Sequence, residues 1–352
     1  MALIPIAAGD ALVRLNEFSA VIDARSESEF AEDRLPGAVN WPTLNDAERR
    51  IVGTEYAQVS PFVARKRGAV MAARNIAAHI EREAMDVPKD WRPLVYCWRG
   101  GKRSGSLALV LDQIGFRVHV LEGGYREYRR AVTAQLDVLP RGLRYCVICG
   151  TTGSGKSHLL QVLAARGEQV LDLEALANHR GSVLGLVPGS PQPGQKQFDS
   201  RLWDALRRFD PARVVWVESE SKKVGDLRVP QALIEPMRAS PCVALTLPLE
   251  ARVALLMRDY AHFATDTPAF CQRLDALRVL RGNEVINGWQ AAAHAGQTAQ
   301  VVRELLLAHY DPIYLQSMKR NFGGFSAPML ELGWDGSNES LAAAASRLIA
   351  LE

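Results

Sequence analysis

A chain of 352 residues is long enough for two domains, each with its own hydrophobic core. Hydrophobic residues make up 48% of it and charged residues 23%, which argues against a disordered protein. The formal net charge of +3 permits a nucleic-acid partner without requiring one. Five widely spaced cysteines argue against a disulfide framework and favour a reducing compartment. Because we find no signal peptide and no apolar run of about 18 residues, we expect a cytoplasmic protein with no membrane partner.

Short β-branched runs alternate with helical periodicity along the first half, which predicts an α/β fold there. The predicted strands are 20–23, 38–41, 93–97 and 117–121. Ser26 and Glu29 have capping-box spacing, and Ser60-Pro61 predicts the start of a long helix that runs toward Glu83. A helix over 124–136 leads into a linker at 139–142.

The second half also predicts an α/β fold, followed by a mostly helical segment. A strand, a glycine-rich loop and a helix over 156–165 begin it, and further strands are predicted at 169–173, 213–217 and 243–247. After about residue 250 the pattern is mostly helical up to Phe322. We therefore predict three parts, 1–138, 139–250 and 251–352, with the last packed on the second.

A basic loop around Cys97 follows a predicted strand of the first half. It reads Cys97-Trp98-Arg99-Gly100-Gly101-Lys102-Arg103-Ser104. Ligands of α/β sheets bind where a strand ends and a helix begins, and converging amides and cations there stabilise a thiolate. We predict that Cys97 is catalytic and that the oxyanion of a substrate binds to Arg99, Gly100, Gly101, Lys102, Arg103 and Ser104. The other four cysteines are interpreted as buried structural residues.

Three further segments accompany this loop, namely Val21-Ile22-Asp23-Ala24-Arg25 with Glu29-Phe30, Leu35-Pro36-Gly37-Ala38-Val39-Asn40, and Leu121-Glu122-Gly123-Gly124-Tyr125. With it, about the first 135 residues resemble the rhodanese family of persulfide-forming sulfurtransferases, which implies a rhodanese-like domain. Arg103 lies six positions after Cys97, one residue beyond the usual short loop, so a larger oxyanion is expected. Rhodanese-fold phosphatases share this spacing. The absence of Asp and Glu from the loop weighs against that alternative, because no general acid is supplied.

A complete G-x-x-x-x-G-K-S pattern lies between a predicted strand and a predicted helix of the second half. Backbone amides and the helix N-terminus of such a loop bind a diphosphate, the lysine adds a charge, and the serine hydroxyl is suited to a metal. The pattern therefore predicts a P-loop NTPase-like domain. We assign diphosphate binding to Gly150, Thr152, Gly153, Ser154, Gly155, Lys156 and Ser157.

Acidic residues follow two later strands, and they are compatible with more than one reaction at the phosphate loop. Glu218 follows one strand at the position where nucleotide-hydrolysing enzymes usually have an aspartate metal ligand. Asp172 and Glu174 follow another strand, where small-molecule kinases place a metal ligand or a base. We predict no dedicated metal site and no tightly bound cofactor, although Mg²⁺ is compatible with the loop.

The order of the motifs along the chain is more specific than either loop alone. After the two loops come Asp172-Leu173-Glu174, Asn178-His179-Arg180-Gly181-Ser182, Val217-Glu218-Ser219-Glu220-Ser221 and His309-Tyr310-Asp311-Pro312-Ile313-Tyr314. Together they resemble the bacterial tRNA 2-selenouridine synthase family over nearly the whole chain.

This resemblance implies a transferase that acts on tRNA with 2-thiouridine at the wobble position. Such enzymes geranylate the sulfur from geranyl diphosphate and then replace it with selenium from selenophosphate. S-alkylation is chemically sensible, because it converts a poor leaving group into a thiol. The resemblance implies that the phosphate loop binds geranyl diphosphate and that the Cys97 loop handles selenium, with Cys97 either carrying it as a selenenyl sulfide or positioning selenophosphate.

Contacts with tRNA and with the geranyl chain are predicted from weaker patterns. Basic residues around the linker, interleaved with Tyr125 and Tyr128, are candidates for phosphate contacts, although a solvated helix face explains them equally well: Arg126, Arg129, Arg130, Arg141 and Arg144. Lys222-Lys223 and Lys319-Arg320 are further candidates. His179 and Arg180 follow a strand end beside the phosphate loop, so we predict that they contact a substrate or tRNA. The alternative for His179 is a histidine that only makes a local hydrogen bond. The stretch Leu184-Gly185-Leu186-Val187-Pro188 is the predicted apolar wall for the geranyl chain.

Two rival functions stay open at the level of sequence. A P-loop small-molecule kinase with a rhodanese appendage predicts ATP turnover with a small acceptor. A noncatalytic sulfur-relay or tRNA-binding adaptor predicts that Cys97 accepts sulfur while no modified base is formed.

Overall fold

The computed structural model describes residues 3–181, 185, 189–261 and 266–351. The chain divides into two compact units, of which the first comprises Met1–Gln135 with Pro193–Asp204 and the second comprises Leu136–Gln192 with Ala205–Glu352. A short piece from the middle of the chain therefore belongs to the first unit. The division at residues 138 and 250 stays a prediction.

The first unit is built on a five-stranded parallel sheet with the order β1-β5-β4-β2-β3. Its strands are β1 (Ile4–Ile6), β2 (Ala20–Asp23), β3 (Ala38–Asn40), β4 (Pro93–Tyr96) and β5 (His119–Leu121). Its helices are α1 (Ala8–Val13), α2 (Glu27–Glu32), α3 (Asp46–Gln58), α4 (Pro61–Glu83), α5 (Lys102–Ile114) and α6 (Gly124–Leu136), and most of α9 (Gln195–Leu206) belongs here too. The predicted rhodanese-like α/β fold is confirmed, whereas β1 was missed because three residues carry too little periodicity.

The second unit holds another five-stranded parallel sheet, with the order β12-β11-β6-β8-β7. Its strands are β6 (Arg144–Cys149), β7 (Gln169–Leu171), β8 (Val214–Glu218), β11 (Cys242–Thr246) and β12 (Leu330–Gly333), and a small hairpin pairs β9 (Lys223–Val224) with β10 (Leu227–Arg228). Its helices are α7 (Lys156–Ala165), α8 (Leu173–Leu176), α10 (Gln231–Ala239), α11 (Leu249–Asp259), α12 (Thr267–Asp275), α13 (Arg278–Arg281), α14 (Asn283–His294), α15 (Thr298–Leu305), α16 (Asp311–Asn321) and α17 (Asn338–Ile349). A π-helical turn, Leu306–Tyr310, joins α15 to α16.

Two hydrophobic clusters hold the second unit together. Leu159, Leu160 and Leu163 of α7 pack with the central strands and α17, because spacing by one, three and four residues puts them on one helix face. A second cluster joins α11 to α12, α14 and α15. The predicted mostly helical C-terminal segment is thus confirmed, with one addition: β12 extends the sheet of the P-loop domain.

Two remaining expectations concern segments rather than single sites. In the described parts of the chain, no helix is both long and apolar enough to cross a membrane. Of the predicted apolar wall over 184–188, only Gly185 is among the described residues, so that prediction lies outside what the structure describes.

Candidate active site

The Cys97 side chain lies between the end of β4 and the first turn of α5. Its sulfur accepts hydrogen bonds from the Gly101 amide at 3.3 Å and from the Ser104 hydroxyl at 3.1 Å. Gly101 is the N-cap of a 13-residue helix, so the positive end of that helix dipole faces the sulfur. Cys97 is only 3% exposed. Two hydrogen-bond donors and the N-terminus of α5 are thus directed at the Cys97 sulfur.

The Leu121–Tyr125 segment supports the Cys97 loop from behind. The Tyr125 amide donates to the Cys97 carbonyl at 2.8 Å, and the Arg126 amide donates to the Trp98 carbonyl at 3.2 Å. Gly124 has φ +60°, and a Cβ atom there would lie 2.2 Å from the Cys97 carbonyl oxygen. Glycine is required at this position because both the backbone conformation and the close approach exclude a side chain.

The three cations of the Cys97 loop divide into one that is anchored and two that are exposed. Arg103 forms an ion pair with Glu29 at 2.7 Å, and Arg49 lies 3.3 Å from the same carboxylate. Arg99 and Lys102 are exposed and form no ion pair with any residue that the structure describes. Two cations are thus available to an oxyanion, while Arg103 joins the loop to α2.

The Cys97 loop itself contains no Asp or Glu, but the fold brings the carboxylate of Glu29 next to the loop. Burial opposes its ionisation, but the hydrogen bond and charge of Arg103, with the charge of Arg49, outweigh burial and lower the pKa of Glu29. An ionised carboxylate has no proton to give. Glu29 therefore does not supply the general acid that the phosphatase alternative lacks.

The phosphate loop lies between β6 and α7, as its mechanism requires. Lys156 donates from Nζ to the Gly150 carbonyl at 3.0 Å, and the same atom lies 5.7 Å from the centre of the Tyr314 ring. The Trp334 indole donates to the Ser154 carbonyl at 2.7 Å. Gly155 has φ +87°, and a Cβ atom there would lie 2.3 Å from that indole. The predicted diphosphate residues 150–157 thus form one loop, which Trp334 holds from the C-terminal part of the chain.

Arg252 fixes the other side of the phosphate loop. Its guanidinium donates twice to the Thr152 carbonyl, at 3.0 and 2.7 Å. It also makes a bidentate pair with Asp311, at 2.9 and 2.6 Å. Because Arg252 is nearly buried and its donors are directed at fixed acceptors, it sets the position of Thr152 in the loop.

Three glutamates crowd against the phosphate loop at the ends of β7 and β8. Oxygen atoms of Glu174, Glu218 and Glu220 lie within 4.8 Å of one another. The Ser157 hydroxyl donates to Glu174 at 3.1 Å and the Glu174 amide donates to Glu218 at 3.2 Å. Burial and then the charge of Glu174 raise the pKa of Glu218 well above its usual range and that of Glu220 to about 8.

Such a group of carboxylates requires either protons or a cation for compensation. The donors are all oxygens, which are the ligands that Mg²⁺ prefers, and the phosphate-loop serine hydroxyl adjoins them. The residues present therefore fit a magnesium ion. Sequence reasoning found Glu174 and Glu218 separately, but it missed Glu220, although Glu220 lies two positions after Glu218.

A cavity of about 470 Å³ opens above the phosphate loop and brings most of the predicted second-unit site residues together. Its lining includes Lys156, Ser157, Asp172, Glu174, His179 and Arg180, with apolar surface from Leu255, Leu256, Tyr260 and Tyr314. Glu218 lies beneath, fully buried. The cavity thus combines anion-binding groups with an apolar wall.

Three of the lining residues also have local structural partners. Asp172 caps α8 by accepting from the Ala175 amide at 2.8 Å, and burial raises its pKa. His179 accepts from the Gly181 amide at 3.1 Å, and burial lowers its pKa. Arg180 donates to the Asp259 carbonyl and lies 4.7 Å from the centre of the Tyr260 ring. His179 thus makes the local hydrogen bond that was the alternative interpretation of this residue. Its ring also lines the cavity.

The arginines predicted to contact tRNA differ in their availability. Arg129 is 15% exposed at its side chain and pairs with Asp199 of α9 at 2.9 Å. Arg130 is exposed and pairs with Glu127 at 2.6 Å. Arg126 is half-buried beside the Cys97 loop. Arg129 therefore acts within the first unit as a structural residue, whereas the tRNA roles of Arg126 and Arg130 stay predictions.

Two family profiles match the chain, one for each unit of the fold. The rhodanese-like domain matches residues 8–131, and the tRNA 2-selenouridine synthase AAA domain matches residues 143–278. These matches agree with the order of the two loops along the chain.

Several proteins to which this chain is similar share one name. The tRNA 2-selenouridine synthase of Nitrosomonas europaea is 35% identical over 68% of this chain. This chain spans 63% of that relative's length. The synthase of Shewanella halifaxensis is 30% identical over 84% of this chain and 87% of its own length. The synthase of a Sulfurovum species is 32% identical over 74% of this chain and 71% of its own length. With both loops in place and this extent of similarity, the chain belongs to the tRNA 2-selenouridine synthase family.

Proposed function

We propose that this protein is a transferase that converts wobble 2-thiouridine of tRNA into 2-selenouridine through an S-geranyl intermediate. One observation carries the proposal: the Cys97 sulfur accepts hydrogen bonds from Gly101 and Ser104 at a helix N-terminus, in a chain that also holds a complete phosphate loop. The first arrangement suits an oxyanion that carries selenium, and the second suits a diphosphate.

In the first step, the thiocarbonyl sulfur attacks the first carbon of geranyl diphosphate. The carbon–oxygen bond to the diphosphate breaks, the N3 proton of the base passes to the departing pyrophosphate, and an S-geranyl base remains. Lys156 and the loop amides stabilise the negative charge that builds up on the leaving group. The Ser157 hydroxyl and the glutamates 174, 218 and 220 would hold Mg²⁺, which when bound neutralises diphosphate charge.

In the second step, the selenium of hydrogen selenophosphate attacks C2 of the base. The C2–sulfur bond breaks and geranyl thiol leaves, while one water molecule takes up the phosphoryl group as hydrogen phosphate. The two hydrogens of that water and the one of hydrogen selenophosphate end on the thiol, on N3 and on phosphate, so the atoms balance. Arg99 and Lys102 bind the phosphoryl oxygens, and Cys97 positions the bound selenophosphate without forming a bond to selenium.

Mass spectrometry of nucleosides tests this proposal directly. tRNA with wobble 2-thiouridine is incubated with the protein, geranyl diphosphate and selenophosphate, and each small substrate is omitted in turn. We expect S-geranyl-2-thiouridine without selenophosphate and 2-selenouridine with both. ATP turnover with a small acceptor and no modified base would support the kinase alternative. Sulfur loading of Cys97 with no modified base would support the adaptor alternative.

A further inference from the structure

A large apolar groove runs along three helices of the first unit, α3, α4 and α5. Its volume is about 1300 Å³, more than the roughly 300 to 1,000 Å³ of typical small-molecule pockets. Its apolar lining includes Tyr56, Ala69, Ala72, Ile80, Leu109 and Val110. A single exposed apolar residue needs no explanation, but a contiguous apolar groove of this size indicates a binding site.

The groove exposes large apolar side chains to solvent. Tyr56 is 53% exposed and Leu109 is 52% exposed, and both face a space that small side chains of α4 leave open. Larger side chains at Ala69 and Ala72 would fill this space. The geometry therefore keeps apolar surface accessible to a ligand.

One end of the groove is formed by the Cys97 loop itself. Lys102 and Arg103 of the first turn of α5 line the groove, and the next residue, Ser104, donates to the Cys97 sulfur. Arg65 adds a third positive charge to the lining. The apolar surface thus adjoins two cations of the Cys97 loop.

From this continuity we infer that the groove binds the geranyl chain of S-geranyl-2-thiouridine in tRNA while its base lies at the Cys97 loop. The inference rests on the proposed function. An apolar chain attached to an anionic nucleotide matches both parts of the surface, the apolar lining and the cationic end. A second copy of the protein would cover the apolar lining, but that occupant would not account for the position of the groove next to the cations of the Cys97 loop. The groove thereby selects the geranylated base over unmodified 2-thiouridine for selenation.

Two positions of α5 provide a matched pair for the test. Leu109 and Ile114 are both apolar and both 52% exposed, but only Leu109 lines the groove. With tRNA supplied already geranylated, we expect Leu109→Asp to raise the KM for selenation at least about tenfold, and Ile114→Asp to leave it unchanged. Ala72→Trp, which fills the groove without adding charge, is expected to act like Leu109→Asp. Circular dichroism checks that each variant is folded.

A second substrate separates this inference from the proposed function. tRNA carrying S-methyl-2-thiouridine has the same leaving atom but no long chain. The wild type is expected to prefer the geranyl substrate, and Leu109→Asp is expected to lose that preference. If the wild type selenates geranylated tRNA and Leu109→Asp keeps the preference, the groove assignment is overturned and the function stands. If the wild type selenates neither substrate, the proposed function fails first. A dimer that Leu109→Asp dissociates, with an unchanged substrate preference, would overturn the assignment in favour of a second copy.

Discussion

The Cys97 loop and the phosphate loop have the same strand–loop–helix connection, but the carboxylates beside them differ in the direction of their pKa shifts. Both connect a buried parallel strand to the N-terminus of a helix through glycines. Beside the Cys97 loop, the carboxylate of Glu29 is paired with Arg103 and its pKa is lowered. Beside the phosphate loop, two buried glutamates and the partly buried Glu174 lie close together, and the pKa values of Glu218 and Glu220 are raised.

This difference follows from what each loop contains. The Cys97 loop contains a sulfur nucleophile, and the carboxylate beside that loop is neutralised by an arginine. The phosphate loop has no nucleophile of its own, and its acidic neighbours create a demand for a cation instead. Under the proposed function, the same fold element serves selenium chemistry in one unit and diphosphate chemistry in the other.

Replacing the sulfur of Cys97 gives the largest expected effect. Cys97→Ser removes the sulfur nucleophile and keeps the hydrogen-bonding partners Gly101 and Ser104. We expect 2-selenouridine to fall to the level of a reaction without enzyme, while S-geranyl-2-thiouridine accumulates, because the phosphate loop lies in the other unit. Nucleoside mass spectrometry measures both products. Normal levels of 2-selenouridine would remove Cys97 from the mechanism.

The corresponding change in the phosphate loop is Lys156→Ala. One charge-assisted contact to a phosphate is worth about 1.5 to 3 kcal/mol, so geranylation should slow about ten- to 150-fold. Selenation of tRNA that is supplied already geranylated should be affected much less. Equal losses in the two steps would show that the loops are not separable, or that the phosphate loop binds another ligand such as ATP.

Arg252→Lys sharpens the comparison by testing a residue that positions the phosphate loop. Lysine keeps the charge near Asp311 but cannot reproduce the paired donors to Thr152. We expect the KM for geranyl diphosphate to rise about fivefold, equivalent to about 1 kcal/mol for one hydrogen bond, with little change in selenation. Isothermal titration with inorganic pyrophosphate measures the binding part alone. Unchanged pyrophosphate affinity would mean that Arg252 only stabilises the fold.

Glu29→Gln gives the smallest effect and tests the ionised carboxylate beside the Cys97 loop. Because the folded-state pKa of Glu29 is lowered, its ionised form adds stability that is present above the unfolded pKa of about 4.3 and is lost as pH falls below it. We expect a loss of about 1 kcal/mol in unfolding free energy at pH 7, shrinking toward pH 3, in urea titrations. Glu127→Gln, which breaks an exposed pair with Arg130, is the control and should cost less than about 0.5 kcal/mol. A constant difference across pH would contradict the ionised state.

Both loops were predictable from sequence because their strand, glycines and helix are consecutive. The capping pair Ser26 and Glu29 was predictable for the same reason, and it forms as expected. The pairing of Glu29 with Arg103 was not, because 74 positions separate the two residues and only the folded sheet brings them together.

The supports of the phosphate loop were hidden from sequence reasoning in the same way. Arg252 reaches Thr152 across 100 positions and Trp334 reaches Ser154 across 180. No local pattern marks an arginine or a tryptophan as the partner of a distant carbonyl. In the sequence, Asp311 was identified only within the segment 309–314 that resembles the family. The structure shows that Asp311 pairs with Arg252.

The bond from Trp334 to Ser154 also has a consequence for how the protein is made. Translation proceeds from the N-terminus at about 5 to 20 residues per second, and domains generally fold as they emerge. Residues 150–157 leave the ribosome long before β12 and Trp334 do. A chain that has not yet been extended to Trp334 therefore carries a phosphate loop without one of its supports, and this unit reaches its final shape only after that residue has been synthesised.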